Sequence, residues 1–228
     1  MIPIGDNVPT RTFPFVTITL ILLNIAIFIY ELTLGNGVRG FIGTHGVIPK
    51  DVTSAVMAMD LSGLSDKFLS SLFIHSGWLH LGGNMLYLWI FGNNVEDRLG
   101  HTKYLAFYVA VGFIAMGIYV ASMPASVAPA IGASGAVAGI LGAYLVMFSR
   151  ARVFIVIPLF LFFPVVAIRA IYVLGFWFVE QLINGAGAIV EPTSAAGVAW
   201  WAHIGGFAAG MIIASIFIRK GTPIVRWR

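Results

Sequence analysis

Apolar runs of about twenty residues recur along the chain, and they constrain its fold more than any other feature of the sequence. Hydrophobic residues make up 59% of the 228 residues and charged residues only 10%, unlike a soluble globular domain. A helix of about 20 residues crosses the hydrocarbon core of a bilayer, so the chain has room for about six such helices. The sequence therefore predicts an all-α, multi-pass membrane protein with a single domain over residues 1–228.

The hydropathy pattern divides the chain into six predicted membrane spans. Their boundaries are roughly 14–34, 78–95, 104–123, 134–148, 164–183 and 200–218. The fourth span is short for a full crossing, so we expect one of its ends to lie below the membrane surface under a loop. The long first loop, 35–77, and the segment 153–163 contain apolar runs too short to span, so we expect both to lie in the membrane interface.

The distribution of Lys and Arg predicts the orientation. With the N-terminus inside, the outer segments contain only Arg39, Lys50 and Lys67, whereas the inner segments contain nine basic residues, or ten with Arg169. The positive-inside rule then puts both termini in the cytoplasm, which suits an integral protein of the plasma or inner membrane. Residues 1–13 lack a basic stretch, and no Ala-x-Ala follows the first apolar run, so we expect no cleaved signal peptide.

A serine opens a short, glycine-rich apolar helix at Gly132-Ala133-Ser134-Gly135. Such a serine is most simply an N-cap, and such glycines usually allow close helix packing in a membrane. The predicted topology adds a second interpretation, because spans two, four and six all run from outside to inside. His80 and Asn84 near the start of span two, and His203 near the start of span six, therefore lie at the depth of the serine.

The residues at that depth have the chemistry of a serine hydrolase. A neutral histidine such as His203 can take the proton of a serine hydroxyl and make it a nucleophile. His80 and Asn84, four residues apart, face the same way on a helix and could stabilise an oxyanion together with the backbone N–H of Ser134. No carboxylate lies at that depth in these three spans, and Glu96, which follows span two, is about 18 Å beyond Asn84 along the helix. The residues therefore predict a Ser–His dyad rather than a triad.

Three motifs together resemble the rhomboid family of intramembrane serine proteases, over essentially the whole chain. The motifs are His80-Leu81-Gly82-Gly83-Asn84, Gly132-Ala133-Ser134-Gly135 and Ala202-His203-Ile204-Gly205-Gly206. The resemblance implies a six-helix rhomboid-like bundle and an endopeptidase that cuts single-pass or polytopic membrane proteins near the outer face. It implies Ser134 as nucleophile and His203 as base. It also implies His80, Asn84 and Gly132 as oxyanion contacts, with Gly132 letting the loop pass the site.

Other positions match or depart from the family pattern. His75 matches a further family histidine with a structural role, and Glu96 with Arg98 matches the polar end of span two, where helix termination and a surface ion pair also explain the residues. Many bacterial rhomboids have a Trp-Arg pair in the first loop, where this chain has Asp66-Lys67. An aromatic residue often follows the nucleophile by four positions and stacks on the histidine, whereas this chain has Ala138. Both departures leave the dyad intact and leave open how the first loop packs and how the histidine ring is held.

Three other functions compete with proteolysis. A catalytically inactive relative that binds membrane clients typically lacks the serine or the histidine, and this chain keeps both. A channel or transporter would favour internal repeats or broken helices in matched pairs, and the sequence shows neither. A metalloprotease would need His-Glu-x-x-His, whereas His75 and His80 are five apart and lie off a common helical face.

We therefore expect neither a metal nor another cofactor, and the absence of cysteine excludes disulfides and cysteine-based zinc sites. The formal net charge of +4 is concentrated at the C-terminus, which suits an anionic inner leaflet. The expected partners are the lipid bilayer and membrane-protein substrates, and no nucleic acid.

Overall fold

A computed structural model describes residues 2–160, 162–190 and 198–219 of the chain. Within these residues the protein is mostly helical, with one small β-sheet. The α-helices are α1 (Phe15–Thr33), α2 (Val38–His45), α3 (Pro49–Met57), α4 (Leu64–Ser71), α5 (Trp78–Tyr87), α6 (Asn93–Leu99), α7 (His101–Ser122), α8 (Ser134–Phe148), α9 (Ala170–Val190) and α10 (Trp200–Arg219). The strands are β1 (Ile2–Asp6), β2 (Arg152–Val156) and β3 (Val165–Arg169).

Three of the described helices are long and apolar enough to cross a membrane. They cover Phe15–Thr33, His101–Ser122 and Trp200–Phe217. The shorter apolar helix α8 has 15 residues, of which 12 are buried. Large apolar side chains face outward elsewhere, such as Leu22 on α1 and Phe176 on α9, each about three-fifths exposed. The protein is therefore an integral membrane protein with a helical bundle.

Most predicted spans coincide with helices. The fourth coincides with α8, and the first, third and sixth differ from α1, α7 and α10 by at most three residues at either end. The second, 78–95, covers α5, a π-helical segment at Leu88–Gly92 and the first residues of α6, which continues to Leu99. Residues 191–197 of the predicted outer loop and residues 220–228 of the basic tail lie outside the described residues.

The predicted fifth span, 164–183, is wrong at both ends. Its first residues form β3, and α9 extends from Ala170 to Val190 into the segment expected to be a loop. Val165, Val166 and Ile168 are β-branched and favour a strand, which pairs antiparallel with β2. Arg169 is therefore the last residue of a strand, paired with Arg152, and not part of the fifth helix.

The sheet has the order β1-β2-β3, and both strand pairs are antiparallel. The segment 153–163, predicted to be interfacial, begins in β2 and leads through a turn toward β3. Asp6 at the end of β1 accepts hydrogen bonds from the Tyr144 hydroxyl (2.8 Å) and the Asn94 amide (2.7 Å). Burial raises the pKa of Asp6. These bonds attach the sheet to α8 and α6, about 15 Å along α8 from its first residue.

Helices α8 and α10 are in backbone contact. A Cβ atom on Gly206 would overlap the carbonyl oxygen of Gly135, and one on Gly210 would overlap that of Gly139. The glycines therefore allow the close helix approach that the sequence predicts. This contact fixes the first turn of α10 beside the start of α8.

The first loop is a structured element that includes α2, α3 and α4. Val47 and Ala130 exchange backbone hydrogen bonds of 3.1 and 2.8 Å, and the N–H of Gly132 donates to the carbonyl of Ser71 at 2.8 Å. The first loop therefore holds the segment that leads into α8.

Glu96 has a different role from the one expected. Its side chain is fully buried and accepts hydrogen bonds from the backbone N–H groups of Val16 (2.9 Å) and Thr17 (2.7 Å) in the first turn of α1. His101 Nδ1 lies 2.6 Å from the same carboxylate. The surface interpretation requires an exposed carboxylate, whereas this one is buried and caps the positive end of a neighbouring helix.

Candidate active site

Ser134 is the first residue of α8, and its hydroxyl faces α10. Ser134 Oγ lies 2.9 Å from Nε2 of His203, which is 69 residues further along the chain. The N-cap position of α8 is occupied by Ala133, which has no capping side-chain hydrogen bond. The simple N-cap interpretation of the serine is therefore wrong, because the hydroxyl is paired with a histidine instead of with its own helix.

The ring of His203 is held from α9 as well as from its own helix. Its Nδ1 lies 2.8 Å from Oε1 of Gln181. The ring of Trp177 lies 6.0 Å away at 34°, and that of Trp200 lies 6.1 Å away, nearly edge-on at 84°. These side chains hold the histidine where Ala138 offers no aromatic ring.

The sequence reasoning missed Gln181 and Trp177. Gln181 is only 3% exposed and lies close to the outer end of the predicted fifth span. A polar residue at that place shares the expected depth of Ser134 and His203, and this was the signal that could have revealed it. The sequence-based prediction of the site uses residues of spans two, four and six alone.

The ring of His80 presents a donor toward the loop before Ser134. Its Nδ1 lies 3.4 Å from the backbone N of Ser76, whose N–H donates to it, and 3.1 Å from the Ser76 hydroxyl. Because Nδ1 accepts, the neutral ring has its proton on Nε2. A Cβ atom on Gly132 would lie 2.6 Å from this Nε2, so the donor faces the loop at close range.

Gly132 provides space rather than a hydrogen bond. Its N–H already donates to Ser71, so it is not a donor for an oxyanion. Its φ of +109° is a conformation that side chains rarely adopt, and a Cβ atom there would also lie 3.4 Å from Nδ2 of Asn84. The absence of a side chain lets the loop pass close to His80 and Asn84.

The amide of Asn84 is oriented by His75. Asn84 Nδ2 lies 3.0 Å from His75 Nε2, and His75 Nδ1 lies 3.2 Å from the carbonyl of Phe73. The backbone N–H of His75 points at the carboxylate of Glu31, at 3.2 and 3.3 Å from its two oxygens. Burial, and secondarily the neighbouring His80, lower the pKa of His75 to about 4. The ring is therefore neutral at pH 7, and its Nε2 accepts from the amide of Asn84.

The four polar side chains predicted from the sequence line one cavity of about 640 Å³. The cavity is lined by His80, Asn84, Ser134 and His203 together with apolar residues such as Leu79 and Trp200. Its volume is within the range of sites that bind organic ligands. All four predicted polar residues thus meet at one cavity, as their shared depth predicts.

The fold and this cavity define an integral membrane protein whose helices enclose a polar site. The Rhomboid domain matches residues 65–220, which include His80, Asn84, Ser134 and His203, and the chain belongs to the rhomboid family.

Relatives of the chain occur in eukaryotes and bacteria. Rhomboid protein 1, mitochondrial, of Saccharomyces cerevisiae is 30% identical over 151 residues, which are 63% of this chain and 39% of the yeast protein. The human presenilin-associated rhomboid-like protein, mitochondrial, is 29% identical over 136 residues, or 55% of this chain and 36% of the human one. Rhomboid protease GluP of Bacillus subtilis is 32% identical over 150 residues, or 65% of this chain and 25% of that protein. The chain thus matches well under half the length of each of these relatives.

Proposed function

We propose that this protein is an intramembrane serine protease that hydrolyses peptide bonds of membrane-spanning proteins near the outer face of the membrane. The observation that carries the proposal is the 2.9 Å contact between Ser134 Oγ and His203 Nε2 inside a shared cavity. Serine attack needs such a base within hydrogen-bond reach. Membership of a family that includes a relative named a rhomboid protease supports the same conclusion.

In the proposed reaction, Nε2 of His203 takes the hydroxyl proton as Ser134 Oγ attacks the scissile carbonyl carbon. The tetrahedral oxyanion receives hydrogen bonds from the Nε2–H of His80, the amide of Asn84 and the backbone N–H of Ser134. His203 then gives its proton to the leaving amine, and an acyl-enzyme remains. Water, deprotonated by the same histidine, hydrolyses the acyl-enzyme and restores the serine.

Cleavage of a model membrane substrate by the purified protein in detergent tests this function. We expect Ser134→Ala and His203→Ala to be inactive, and the double variant to be no worse than either single one, because the pair acts as a unit. An inactive client-binding relative would retain the substrate in pull-down without cutting it. Binding without cleavage by the folded wild type would therefore contradict the protease assignment.

The membrane arrangement is part of the proposal. We infer six spans formed by α1, α5 with α6, α7, α8, α9 and α10, with the first loop in the outer interface. The protein then lies in the plasma or inner membrane, with both termini in the cytoplasm. The excess of Lys and Arg on the inner segments supports this orientation.

Because the chain has no cysteine, single introduced cysteines test the orientation cleanly. Ser65 on α4 and Thr102 on α7 are both exposed and lie in segments assigned to opposite faces. A membrane-impermeant maleimide added to intact cells should label Ser65→Cys and not Thr102→Cys. The reverse pattern would overturn the orientation, and labelling of neither variant until the plasma membrane is opened would indicate an internal membrane, as the names of the mitochondrial relatives suggest.

A further inference from the structure

We propose that Gln181 is a positioning residue that selects the tautomer of His203 needed for serine activation. The inference rests on the proposed protease function. Gln181 lies on α9, is 3% exposed and faces the nitrogen of His203 that does not contact Ser134. It therefore occupies the place at which a serine hydrolase triad has a carboxylate.

The orientation of the Gln181 amide follows from its second hydrogen bond. Its Nε2 lies 3.3 Å from the carbonyl oxygen of Trp177, one turn earlier on α9. The opposite orientation would set the amide oxygen against that carbonyl, with two acceptors facing each other. The oxygen of Gln181 is therefore the atom that faces Nδ1 of His203, at 2.8 Å.

An acceptor at Nδ1 determines which ring nitrogen keeps the proton. A neutral imidazole has one N–H, and the amide oxygen stabilises the form in which Nδ1 has it. Nε2 is then the free acceptor, directed at the hydroxyl of Ser134 at 2.9 Å. The other tautomer would point an N–H at that hydroxyl and leave no base to receive its proton.

A neutral partner suits this position better than a carboxylate. Gln181 is only 3% exposed, and a charge there would lose its hydration. The chain does have a carboxylate next to it, at Glu180, but that residue is on the exposed side of α9. The amide thus fixes the ring orientation and tautomer without the cost of a buried charge.

Three variants on α9 separate positioning from general stability. Gln181→Leu keeps the approximate volume and removes the acceptor, whereas Gln181→Glu keeps an acceptor. Asn184→Leu is the matched control, because Asn184 lies about one turn after Gln181 on the same helix. Among the described contacts, its amide donates only to the carbonyl of Glu180. Thermal unfolding in detergent identifies any variant that does not fold.

Activity and nucleophile reactivity are measured on the same preparations. We expect Gln181→Leu to lower kcat and the rate of labelling by a fluorophosphonate about tenfold, the effect of one ordinary hydrogen bond, with KM unchanged. Gln181→Glu should recover more than half of the lost rate on a logarithmic scale, and Asn184→Leu should match the wild type. A folded Gln181→Leu variant with wild-type kcat and labelling would overturn the proposal.

The tautomer is read independently of activity by ¹⁵N NMR of histidine-labelled protein at pH 8, with the His203 signals assigned by their loss in His203→Ala. We expect a protonated Nδ1 and an unprotonated Nε2 in the wild type, and a mixture of tautomers in Gln181→Leu. A wild-type ring protonated at Nε2 would overturn the proposal even if Gln181→Leu does not fold. Failure of the protease function itself would look different, because all variants would then lack cleavage while the tautomer signals persist.

Discussion

The amide nitrogen of Asn84 lies 3.0 Å from Nε2 of His75, so a histidine outside the proposed dyad determines how a proposed oxyanion donor is held. The bond requires an unprotonated Nε2, and the carbonyl of Phe73 beside Nδ1 supports that form. Protonation of His75 would set an N–H against the N–H of the amide. The structure of this part of the site therefore depends on a neutral, buried imidazole.

Acidification should destabilise the protein through His75. Its pKa is lowered to about 4 in the folded state from an ordinary value of 6.5, so between these values the unfolded chain binds the extra proton. The titration of His75 therefore leaves stability unchanged above about pH 6.5 and lowers it as the pH falls toward 4. Between pH 7 and pH 5 we expect a loss of about 2 kcal/mol from this residue, measured by unfolding in detergent.

His75→Gln is the control for this effect, since it removes the titrating ring and leaves the other histidines. The variant should be less stable than the wild type at pH 7, and its stability should change less between pH 7 and pH 5. An equal pH dependence in the two proteins would contradict the role assigned to His75.

Loss of the Asn84 amide should lower the catalytic rate more than it weakens substrate binding. An oxyanion donor acts mainly in the transition state, and removal of one from a preorganised site can cost about 3 kcal/mol, or roughly a hundredfold in rate. We expect a smaller effect for Asn84→Ala, because His80 and the Ser134 N–H remain. The variant should also keep slow fluorophosphonate labelling, because His203 still activates the serine.

A purely structural role for Asn84 would give another pattern. Activity would then fall only in proportion to the unfolded fraction, which the melting temperature of the same preparation reports. A well-folded Asn84→Ala protein with full turnover would remove Asn84 from the site. His80→Ala, studied in parallel, should show the same separation of rate from binding.

Gly132→Ala should abolish cleavage. The new Cβ atom would lie 2.6 Å from His80 Nε2, and the φ of +109° would strain the backbone, so the loop must move away from the oxyanion donors. Gly117→Ala on α7 is the matched control, because a Cβ atom there meets nothing within 4 Å. Gly132→Ala with wild-type turnover would mean that the loop before Ser134 does not form part of the site.

Chelation should leave the activity unchanged. The proposed chemistry uses a serine hydroxyl, a histidine and hydrogen-bond donors, and none of its steps requires a metal. Treatment with EDTA and phenanthroline, followed by the cleavage assay, checks this. A loss of activity that zinc restores would revive the metalloprotease interpretation.

The contact between Ser134 and His203 could be predicted because it depends on where the spans begin and which way they run. Both properties can be read from hydropathy and from the distribution of Lys and Arg. Three spans of the same direction bring their first turns to the same depth whatever the details of packing. The glycines of α8 and α10 strengthened the prediction, since only helices in backbone contact need them at facing positions. The departure at Ala138 was also visible, but it did not reveal which side chains hold the histidine.

The missed features depend on tertiary contacts without a local pattern. Gln181 is one amide in an apolar helix, and only the packing of α9 against α10 shows that it faces His203. The strand at Val165–Arg169 exists because β2 pairs with it, and an apolar run that follows a proline does not distinguish a strand from the start of a helix. Glu96 looked like a helix end because its partners, the first N–H groups of α1, are 80 residues away in the sequence.

The central claim is that Ser134 is a nucleophile activated by His203, and mass-spectrometric mapping of a fluorophosphonate adduct tests it most directly. In the folded wild type we predict one adduct, on Ser134, formed far faster than in His203→Ala. Ser134→Ala should acquire no adduct and should cut no substrate. A folded wild type that stays unmodified, an adduct on another residue, or cleavage that persists in Ser134→Ala would contradict the claim.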